Sequence, residues 1–542
     1  MEVSHRSRTQ FLDLPAEVII QIFSYLAFAD MIAISSVSVF LRTCLTTSPQ
    51  LQLRFASQVA SVTSNSHCQL DLNDRLRLLR RLEDGWYKFR VDFNKTLPIL
   101  HEPFGIYDLT GGIYLMGDTN QKVLHYCRLP SSVDESMAWS RIDLDPSLSI
   151  VDVGLSIYEH DLIAVVSTKP TATNPLLLQV EIQLLQFSTG KPHPLARNPV
   201  LFVRNTFRPT ASTIGIEVVG EYLALVTTPG LSEAAARFCV FEWKTGAVLL
   251  DYPVTSGTYC SIIFLSPTYI ILPNGSSGTL DLFIISPSNP DPSGPILRLA
   301  FPAITPGYSI RAIYGRSEPN PSPSGLPHST RPFHPTPEDA IAIFKLHIRY
   351  DGEDAHDWAD FSMFTHRSTL LRLCEERSER PGETVPWEQW GPPVTRWIDA
   401  EIVPWWITTS AGQRCVLSIT PEAVGLGSAP FVMLLDFNPL AVKRALSVRC
   451  KRGKDGSNVD DCPEVNVESS SLESSVFEEV VVSALPYVSV VRYLEENIRF
   501  DGVLMDEERL LGLATDDDGR VKTIEVFHIG ADSDCASSSS FK

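Results

Sequence analysis

The sequence predicts a multidomain α+β protein, in which a small all-α unit of three helices precedes an all-β propeller of about seven blades. Near the start, apolar residues recur at the three- and four-residue spacing of one helix face. From about Trp86 the pattern changes to short alternating runs bounded by Gly, Pro, Asn and Asp, which is typical of β-strands. These runs show weak repeats about fifty or sixty residues apart, as blades of four strands do.

The helical unit is predicted over residues 11–51. Pro15 suits the first position of a helix, where its missing amide hydrogen is not needed. Asp30 is a candidate N-cap for a second helix that reaches Val37, and a third helix ends near Pro49. A unit this small cannot bury both sides of its apolar residues, so some of them need a partner surface.

The order of residues in this unit resembles the F-box motif, from "LPAEV" through "IFSYL" and Asp30 to Val37 and "SPQL". The stretch after Val37, "VSVFLRTC", lacks the Trp that the family often has there. The resemblance implies a three-helix domain that binds the Skp-type adaptor of cullin-RING (SCF-type) ubiquitin ligases. It also implies the contact residues, which are Leu14, Pro15, Glu17, Ile19, Ile22, Phe23, Leu26 and Val37. Alternatively, these residues are simply the core of a helical N-terminal domain.

A helical linker is predicted over residues 52–85, with Asp74 as its cap, leucines on one side and an end before Gly85. The propeller then extends over residues 86–530. Its predicted insertions lie near 315–337, 351–406 and 451–475, and residues 531–542 are predicted to be a disordered tail. The first insertion is rich in proline and predicts an extended or disordered loop, and the third has few apolar anchors and predicts a mobile one.

The repeats decide the number of blades. "DLIAVVST" at Asp161 aligns with "EYLALVTT" at Glu221, "DAIAIF" at Asp339 and "RLLGLAT" at Arg509, each with a small fourth residue. Two further strands end in Thr-Gly turns at Gly190 and Gly246. Run starts near residues 111, 161, 221, 268, 339, 415 and 509 predict about seven blades. Whether a strand near residues 86–93 closes the ring is left open by the pattern.

Charge and cysteine content narrow the function classes. The net charge is -19, and residues 455–542 alone hold twenty acids and six bases. An acidic chain without an extended basic face is a poor nucleic-acid binder. The ten cysteines form no CxxC pair, which fits reduced thiols in the cytoplasm or nucleus. No apolar run is long enough for a membrane span, and acids interrupt the stretch at 11–30, which excludes an export signal.

The sequence predicts no catalytic residue, metal site or cofactor. His347, His356 and His366 lie among acids but lack a metal-ligand spacing, and "TDDDGR" at Thr515 reads as a hairpin turn. A second group of candidates consists of tryptophans, for which the sequence leaves two roles open. They either form a target-binding surface or fill the core under an inserted loop, and they are Trp387, Trp390 and Trp397.

The resulting hypothesis is a substrate-recognition adaptor. Its F-box binds the Skp-type adaptor and, through it, the cullin scaffold, while the propeller binds a target protein that the sequence does not identify. The acidic ring favours a target with a basic segment. The alternatives are a non-degradative propeller scaffold and, from a different class, a propeller hydrolase.

Overall fold

The computed structural model describes residues 11–207, 213–228, 236–254, 259–285, 294–352, 358–377, 382–399, 406–419, 431–455, 463–494 and 500–530. In these residues a helical N-terminal region leads into seven β-sheets of at least four strands each. None of the described helices is long and apolar enough to cross a membrane. The sequence tail at 531–542 lies outside the described residues.

Five helices form the N-terminal region, after a 3-10 turn at Phe11–Asp13. They are α1 (Ala16–Phe23), α2 (Phe28–Val37), α3 (Val39–Thr47), α4 (Pro49–Ala60) and α5 (Leu72–Tyr87). Serine caps begin two of them: the Ser38 hydroxyl accepts from the amide of Phe40 at 3.2 Å, and that of Ser48 accepts from Leu51 at 3.4 Å. Such caps pair amides that have no partner inside the helix.

Several helix ends differ from the sequence prediction. Asp30 lies in the first turn of α2, which begins after Ala27, and Pro49 opens a fourth helix. Asp71, not Asp74, caps α5, because its carboxylate accepts from the amides of Asn73 and Asp74 at 2.8 and 2.9 Å. Helix α5 also continues through Gly85 to Tyr87. The cause of this continuation is tertiary contact with the ring.

Each of the seven sheets is a blade built on four antiparallel strands, whose first strand lies nearest the ring axis. Blade 1 contains β3 (Pro103–Thr110), β4 (Ile113–Asp118), β5 (Val123–Arg128) and β6 (Trp139–Asp143). Blade 2 contains β7 (Ser149–Ser156), β8 (Leu162–Pro170), β9 (Leu177–Gln186) and β10 (Val200–Phe207). Blade 3 contains β11 (Thr213–Val219), β12 (Tyr222–Thr228), β13 (Ala236–Glu242) and β14 (Ala247–Val254). A short helix, α6 (Ile157–His160), joins β7 to β8.

The later blades carry additional elements. Blade 4 contains β15 (Ile263–Phe264), β16 (Tyr269–Asn274), β17 (Thr279–Ile284), β18 (Leu297–Ala300) and, parallel to β18, β23 (Glu383–Val385). Blade 5 contains β19 (Tyr308–Arg316), β21 (Ile341–Tyr350), β22 (Trp358–His366) and β24 (Thr395–Asp399). Blade 6 contains β25 (Ser410–Ala411), β26 (Arg414–Ile419), β27 (Phe431–Asp436), β31 (Tyr487–Tyr493) and β28 (Glu464–Asn466).

Blade 7 joins the two ends of the domain and closes the ring. It contains β32 (Gly502–Met505), β33 (Arg509–Thr515), β34 (Val521–His528) and, as its outer strand, β2 (Phe93–Pro98). Phe93 pairs with His528 and Pro98 with Thr523, in antiparallel register. The seven blades confirm the predicted fold class, and the strand that closes the ring comes from the start of the domain.

The remaining elements lie between blade strands. Helices α7 (Arg367–Arg377) and α8 (Trp387–Trp390) separate β22 from β24, and α9 (Pro439–Asp455) follows β27. Two small sheets pair β1 (Val62–Ser64) with β20 (Phe333–Pro335), and β29 (Ser470–Leu472) with β30 (Val481–Ser483). A 3-10 turn spans Pro337–Asp339. Within 451–475, residues 456–462 lie outside the described part of the chain.

The aligned runs of the sequence are the second strands of blades 2, 3, 5 and 7. Their small residues are fully enclosed: Ala164, Ala224 and Ala342 are buried, and a Cβ on Gly512 would lie 2.4 Å from the Phe500 ring. Small side chains are therefore needed where neighbouring blades pack face to face. The two Thr-Gly turns place Gly190 and Gly246 at φ of +66° and +80°, a region that favours glycine.

Candidate partner-binding surfaces

The first four helices form a core of their own. Its fully buried members come from all of the N-terminal helices except α5, and they are Ile19, Phe23, Met31, Leu41, Cys44 and Leu51. Helix α4 locks the end of α1, because the Arg54 guanidinium donates to the carbonyls of Phe23 and Leu26 at 3.2 and 2.6 Å. The unit is thus held together by its own side chains and does not depend on the ring for its core.

Two of the contact residues that the resemblance implies belong to this core. Ile19 and Phe23 expose no surface, so they shape the unit from inside and offer nothing to a partner. This corrects their assignment to the contact surface. Among the other six, Pro15, Glu17, Ile22 and Val37 are exposed, while Leu14 and Leu26 are half-buried against the core.

The outer surface of the unit is unusually apolar. Of the 26 large hydrophobic side chains that are exposed among the described residues, nine lie within residues 11–51. We call these nine the apolar surface, and they are Phe11, Leu12, Val18, Ile22, Tyr25, Ile32, Val37, Val39 and Phe40. Val37 and Tyr25 are the most open, at 78% and 80% exposure. Exposed apolar side chains at this density mark interaction sites on soluble domains.

Helix α5 fixes the helical region to blades 6 and 7. The Glu83 carboxylate accepts two bonds from the Arg414 guanidinium, at 3.1 and 2.6 Å, and Arg414 also pairs with Asp436 at 3.0 Å. Trp86 is 1% exposed, and its indole donates to the carbonyl of Glu507 at 2.9 Å. A paired carboxylate and a buried indole on one helix make this contact specific as well as apolar.

Close backbone approach explains why α5 does not stop at Gly85. A Cβ on Gly85 would lie 2.8 Å from the Cγ2 methyl of Ile529, and a Cβ on Gly530 would lie 2.8 Å from the Cα of Leu82. The two glycines allow the helix to rest directly on the end of β34. Glycine thus serves here as a packing residue and not as a helix terminator.

The proline-rich segment forms a second tie between helices and ring. We call residues 317–335 the strap. Its β20 pairs with β1, and the side chain of Asn65 donates to the strap carbonyls of Ser329 and Arg331 at 2.9 and 2.8 Å. The strap is irregular along most of its length, as its prolines dictate, yet it is anchored to both parts of the protein.

Arg316 lies on the axis of the ring, where the inner strands meet, and it separates two cavities. Its guanidinium pairs with Asp108 at 3.2 Å, Glu217 at 3.1 Å and Glu318 at 2.9 Å. On one side of Arg316 lies a cavity of about 610 Å³, covered by residues 63–67 and by the strap. We call it the helix-side cavity. On the other side lies a cavity of about 380 Å³, lined mainly by residues in or just before the inner strands, which we call the far-side cavity.

Burial changes the protonation of groups around Arg316. It raises the pKa of Asp152 to about 7, and that of Glu318 to about 7 despite the nearby Arg316 cation. Burial also raises the pKa of Glu217. On the far side it lowers the pKa of Lys345 to about 8. The axis therefore holds carboxyl groups that are costly to ionise without a further cation nearby.

The tryptophan candidates lie in the core, which is the second of the two roles that the sequence left open, and they do not form a surface for a target. Trp387, Trp390 and Trp397 are between 2% and 6% exposed, and Trp387 meets the other two rings edge to face. The Trp390 indole donates to the carbonyl of Ala300 at 2.9 Å. The three rings belong to one core cluster that includes residues of blades 4 and 5, so they contribute to packing.

No group of three or more His, Cys, Asp or Glu side chains suited to a metal ion occurs in the described part of the chain. His347 bonds to Asp360 at 2.5 Å, His366 faces the carbonyl of Asp339 at 3.3 Å, and residue 356 lies outside the described residues. The Asp516 carboxylate accepts from the amides of Asp518 and Arg520, as in a hairpin turn.

Sequence reasoning missed Glu83, Asn65 and Arg316. Glu83 and Asn65 gave no signal, because their partners are more than 250 residues away along the chain. Arg316 lies at the start of the proline-rich stretch. A charged residue just before a run of prolines was the one sequence signal that this segment is anchored by contacts.

A family model for the F-box-like domain matches residues 11–51. No relative among curated proteins matched the sequence. Among solved structures, the C-terminal WD40 domain of Sif2 aligns with 81% of this chain and 99% of its own, at 10% identity and a TM-score of 0.35. BamB from Moraxella catarrhalis aligns with 80% of this chain and 98% of its own, at 9% identity and a TM-score of 0.31. The fold assignment rests on the strand pairing of the seven blades.

Proposed function

We propose that this protein is a substrate-recognition adaptor of an SCF-type ubiquitin ligase, with an F-box-like domain at residues 11–51 and a seven-bladed ring. The apolar surface would bind the Skp-type adaptor, which would link the chain to the cullin scaffold, and the ring would hold the target. The observation that carries this proposal is the concentration of nine exposed hydrophobic side chains on the F-box-like domain.

The proposed role needs no catalytic group in this chain. Ubiquitin transfer would be performed by the partner enzymes, and this protein would raise the effective concentration of the target beside them. A rigid bridge serves that purpose, because proximity is lost when the linked parts move independently. The Glu83–Arg414 pair, the buried Trp86 and the strap support such a bridge. We place the protein in the cytoplasm or nucleus, where such ligases work.

Binding of a purified Skp-type adaptor to the full-length chain tests the proposal. Ile22→Asp and Val37→Asp place a charge on the apolar surface without touching the buried core. Each should weaken adaptor binding by roughly thirtyfold, since a central contact contributes about 2 kcal/mol. Val248→Asp is the matched control, because Val248 is a 52% exposed valine on the ring. It should leave adaptor binding unchanged.

The result also separates the adaptor from a non-degradative scaffold. If the wild-type chain fails to retain the adaptor, or if the two aspartate variants bind it as well as the wild type does, the ligase role is wrong. If the adaptor binds, a reconstituted ligase with this chain should ubiquitylate proteins captured by the ring. Capture without modification would favour the scaffold.

A further inference from the structure

We propose that the far-side cavity binds a lysine or arginine side chain on an extended segment of the target protein. This inference rests on the proposed function and deepens it, because it names the chemistry by which the ring would recognise its target. The cavity lies on the ring axis and is lined mainly by residues in or just before the inner strands. It combines aliphatic walls with carboxyl groups at its base.

The position of the cavity suits a target. Helix α5 and the strap occupy the ring face formed by the ends of the inner strands, where Gly412, Glu507 and Ile529 lie. The far-side cavity lies beyond Arg316 from that face. A target held there and an adaptor held on the helices would therefore contact different sides of the protein and would not compete.

The walls match the stem of a long basic side chain. Six isoleucines from five blades line the cavity, and they are Ile106, Ile214, Ile216, Ile262, Ile343 and Ile407. Two tyrosines, Tyr107 and Tyr314, also line it. Lysine and arginine carry three or four methylene groups, which gain from apolar contact while the charged end reaches a polar group. A volume of about 380 Å³ holds such a side chain together with part of its backbone.

The base of the cavity provides the charge complement. Asp108, Asp152 and Glu217 line it, and Arg316 shares its guanidinium between Asp108 and Glu217. Asp152 accepts from the amide of Val153 at 2.8 Å, and no described cation forms an ion pair with it. The ammonium of Lys345 instead donates to the carbonyl of Trp406 at 2.7 Å. An incoming cation would therefore find one carboxyl group that forms no ion pair with a described side chain.

A cationic side chain fits this site better than the other classes of residue. A carboxylate or phosphate would face three carboxyl groups in a partly desolvated channel, which is unfavourable. The two cations of the lining already have partners, since Arg316 pairs with carboxylates and Lys345 donates to a backbone carbonyl. A purely apolar side chain would contact the isoleucines but would leave Asp152 buried without a counter-charge. Burial raises the pKa of Asp152 to about 7, so a bound cation would also favour its ionised form.

Arrays of immobilised nonapeptides with a fixed central residue test the proposal on the full-length chain. The central residue is lysine, arginine, acetyl-lysine, norleucine or glutamate, and the flanking residues vary among glycine, serine, alanine and leucine. The wild-type protein should be retained on lysine or arginine peptides at least about tenfold more strongly than on the other three. Equal retention on norleucine or acetyl-lysine, or retention on none of the arrays, would overturn the proposal.

Variants of the cavity complete the test. Asp152→Asn should reduce retention at least about tenfold, and Asp152→Lys should abolish it. Asp143→Asn is the charge-matched control on the outer strand of blade 1, where Asp143 pairs with Arg141 at 3.2 Å, and it should retain full binding. Each variant is first checked for an unchanged melting temperature. Peptide binding that is indifferent to Asp152 in a folded variant would place the target elsewhere.

The same preparations are assayed for the Skp-type adaptor. Normal adaptor binding with no preference for basic peptides rejects this site and leaves the proposed function standing. If the wild-type chain does not bind the adaptor, the proposed function is rejected, whatever the peptide arrays show.

Discussion

The docking of α5 can be tested by the smallest possible change, Gly85→Ala. Gly85 lies inside the last turn of the helix, which ends at Tyr87, and faces Ile529 at the end of β34. In an exposed helix this change would stabilise the protein, because alanine is the better helix former by about 0.5–1 kcal/mol. The structure predicts the opposite sign here.

The magnitude follows from the contact distances. The new Cβ would lie 2.8 Å from the Ile529 Cγ2 methyl and 3.4 Å from the amide nitrogen of Gly530. Ile529 is fully buried and β-branched, so its methyl cannot swing aside. Overpacking of this kind costs about 1–3 kcal/mol. The cost exceeds the helical gain, and the net loss of docking energy should be about 1–2 kcal/mol.

Hydrogen–deuterium exchange measures this loss where it occurs. Amides of α5 exchange when the helix leaves the ring, so a loss of about 1–2 kcal/mol should speed their exchange by roughly 5–30-fold. Gly105→Ala is the matched control, since no atom lies within 4 Å of its added Cβ and its backbone is unstrained. It should leave exchange in α5 unchanged.

Unchanged or slower exchange in Gly85→Ala would refute the reasoning, because α5 would then be an ordinary exposed helix. A double variant sharpens the comparison. Ile529→Ala removes the opposing methyl, so adding Gly85→Ala to it should cost much less than Gly85→Ala alone. Additive effects would show that the two residues do not touch.

Three further predictions concern other parts of the molecule. Glu83→Gln weakens the pair with Arg414, and it should lower the free energy of α5 docking by about 1.5–3 kcal/mol, measured by the same exchange experiment. Burial lowers the pKa of His528 from 6.5 to about 4, so the unfolded chain binds a proton that the folded chain refuses, and stability falls as the pH drops through that window. At pH 5 this loss of stability should be about 2 kcal/mol. The melting temperature of His528→Gln should therefore decrease less between pH 7 and pH 5 than that of the wild type, and an equal decrease in both proteins would contradict this. Trp390→Phe loses the hydrogen bond to the carbonyl of Ala300 and should lower the free energy of unfolding by about 1 kcal/mol. Peptide binding and adaptor binding should stay unchanged. Weaker binding of either would show that Trp390 takes part in recognition.

Local patterns predicted the parts of this fold that depend on local forces. The seven second strands, the two Thr-Gly turns and the first three helices follow from side-chain period and turn chemistry, which neighbours in sequence determine. The F-box-like unit was recognised for the same reason, since its residues lie close together along the chain.

Contacts between distant segments decided the rest. Gly85 is a helix terminator by local rules, and only the approach of Ile529 explains why the helix passes through it. The proline content of the strap predicts an extended or disordered loop because prolines lack the amide donor of a strand ladder, but the anchor at Asn65 lies far away in sequence. Ile19, Phe23 and the three tryptophans show a further limit, because an apolar pattern does not say which side of a residue is covered.

The pairing of β2 with β34 bears on how the protein is made. A ribosome releases the F-box-like domain and β2 first, yet the partner strand of β2 is synthesised about four hundred residues later. At a typical rate of about 5–20 residues per second, β2 waits for roughly twenty seconds or more with an unpaired edge. Translation that terminates early thus yields a chain whose F-box-like domain is present but whose ring is not closed. The unpaired edge of β2 is then exposed and prone to aggregation.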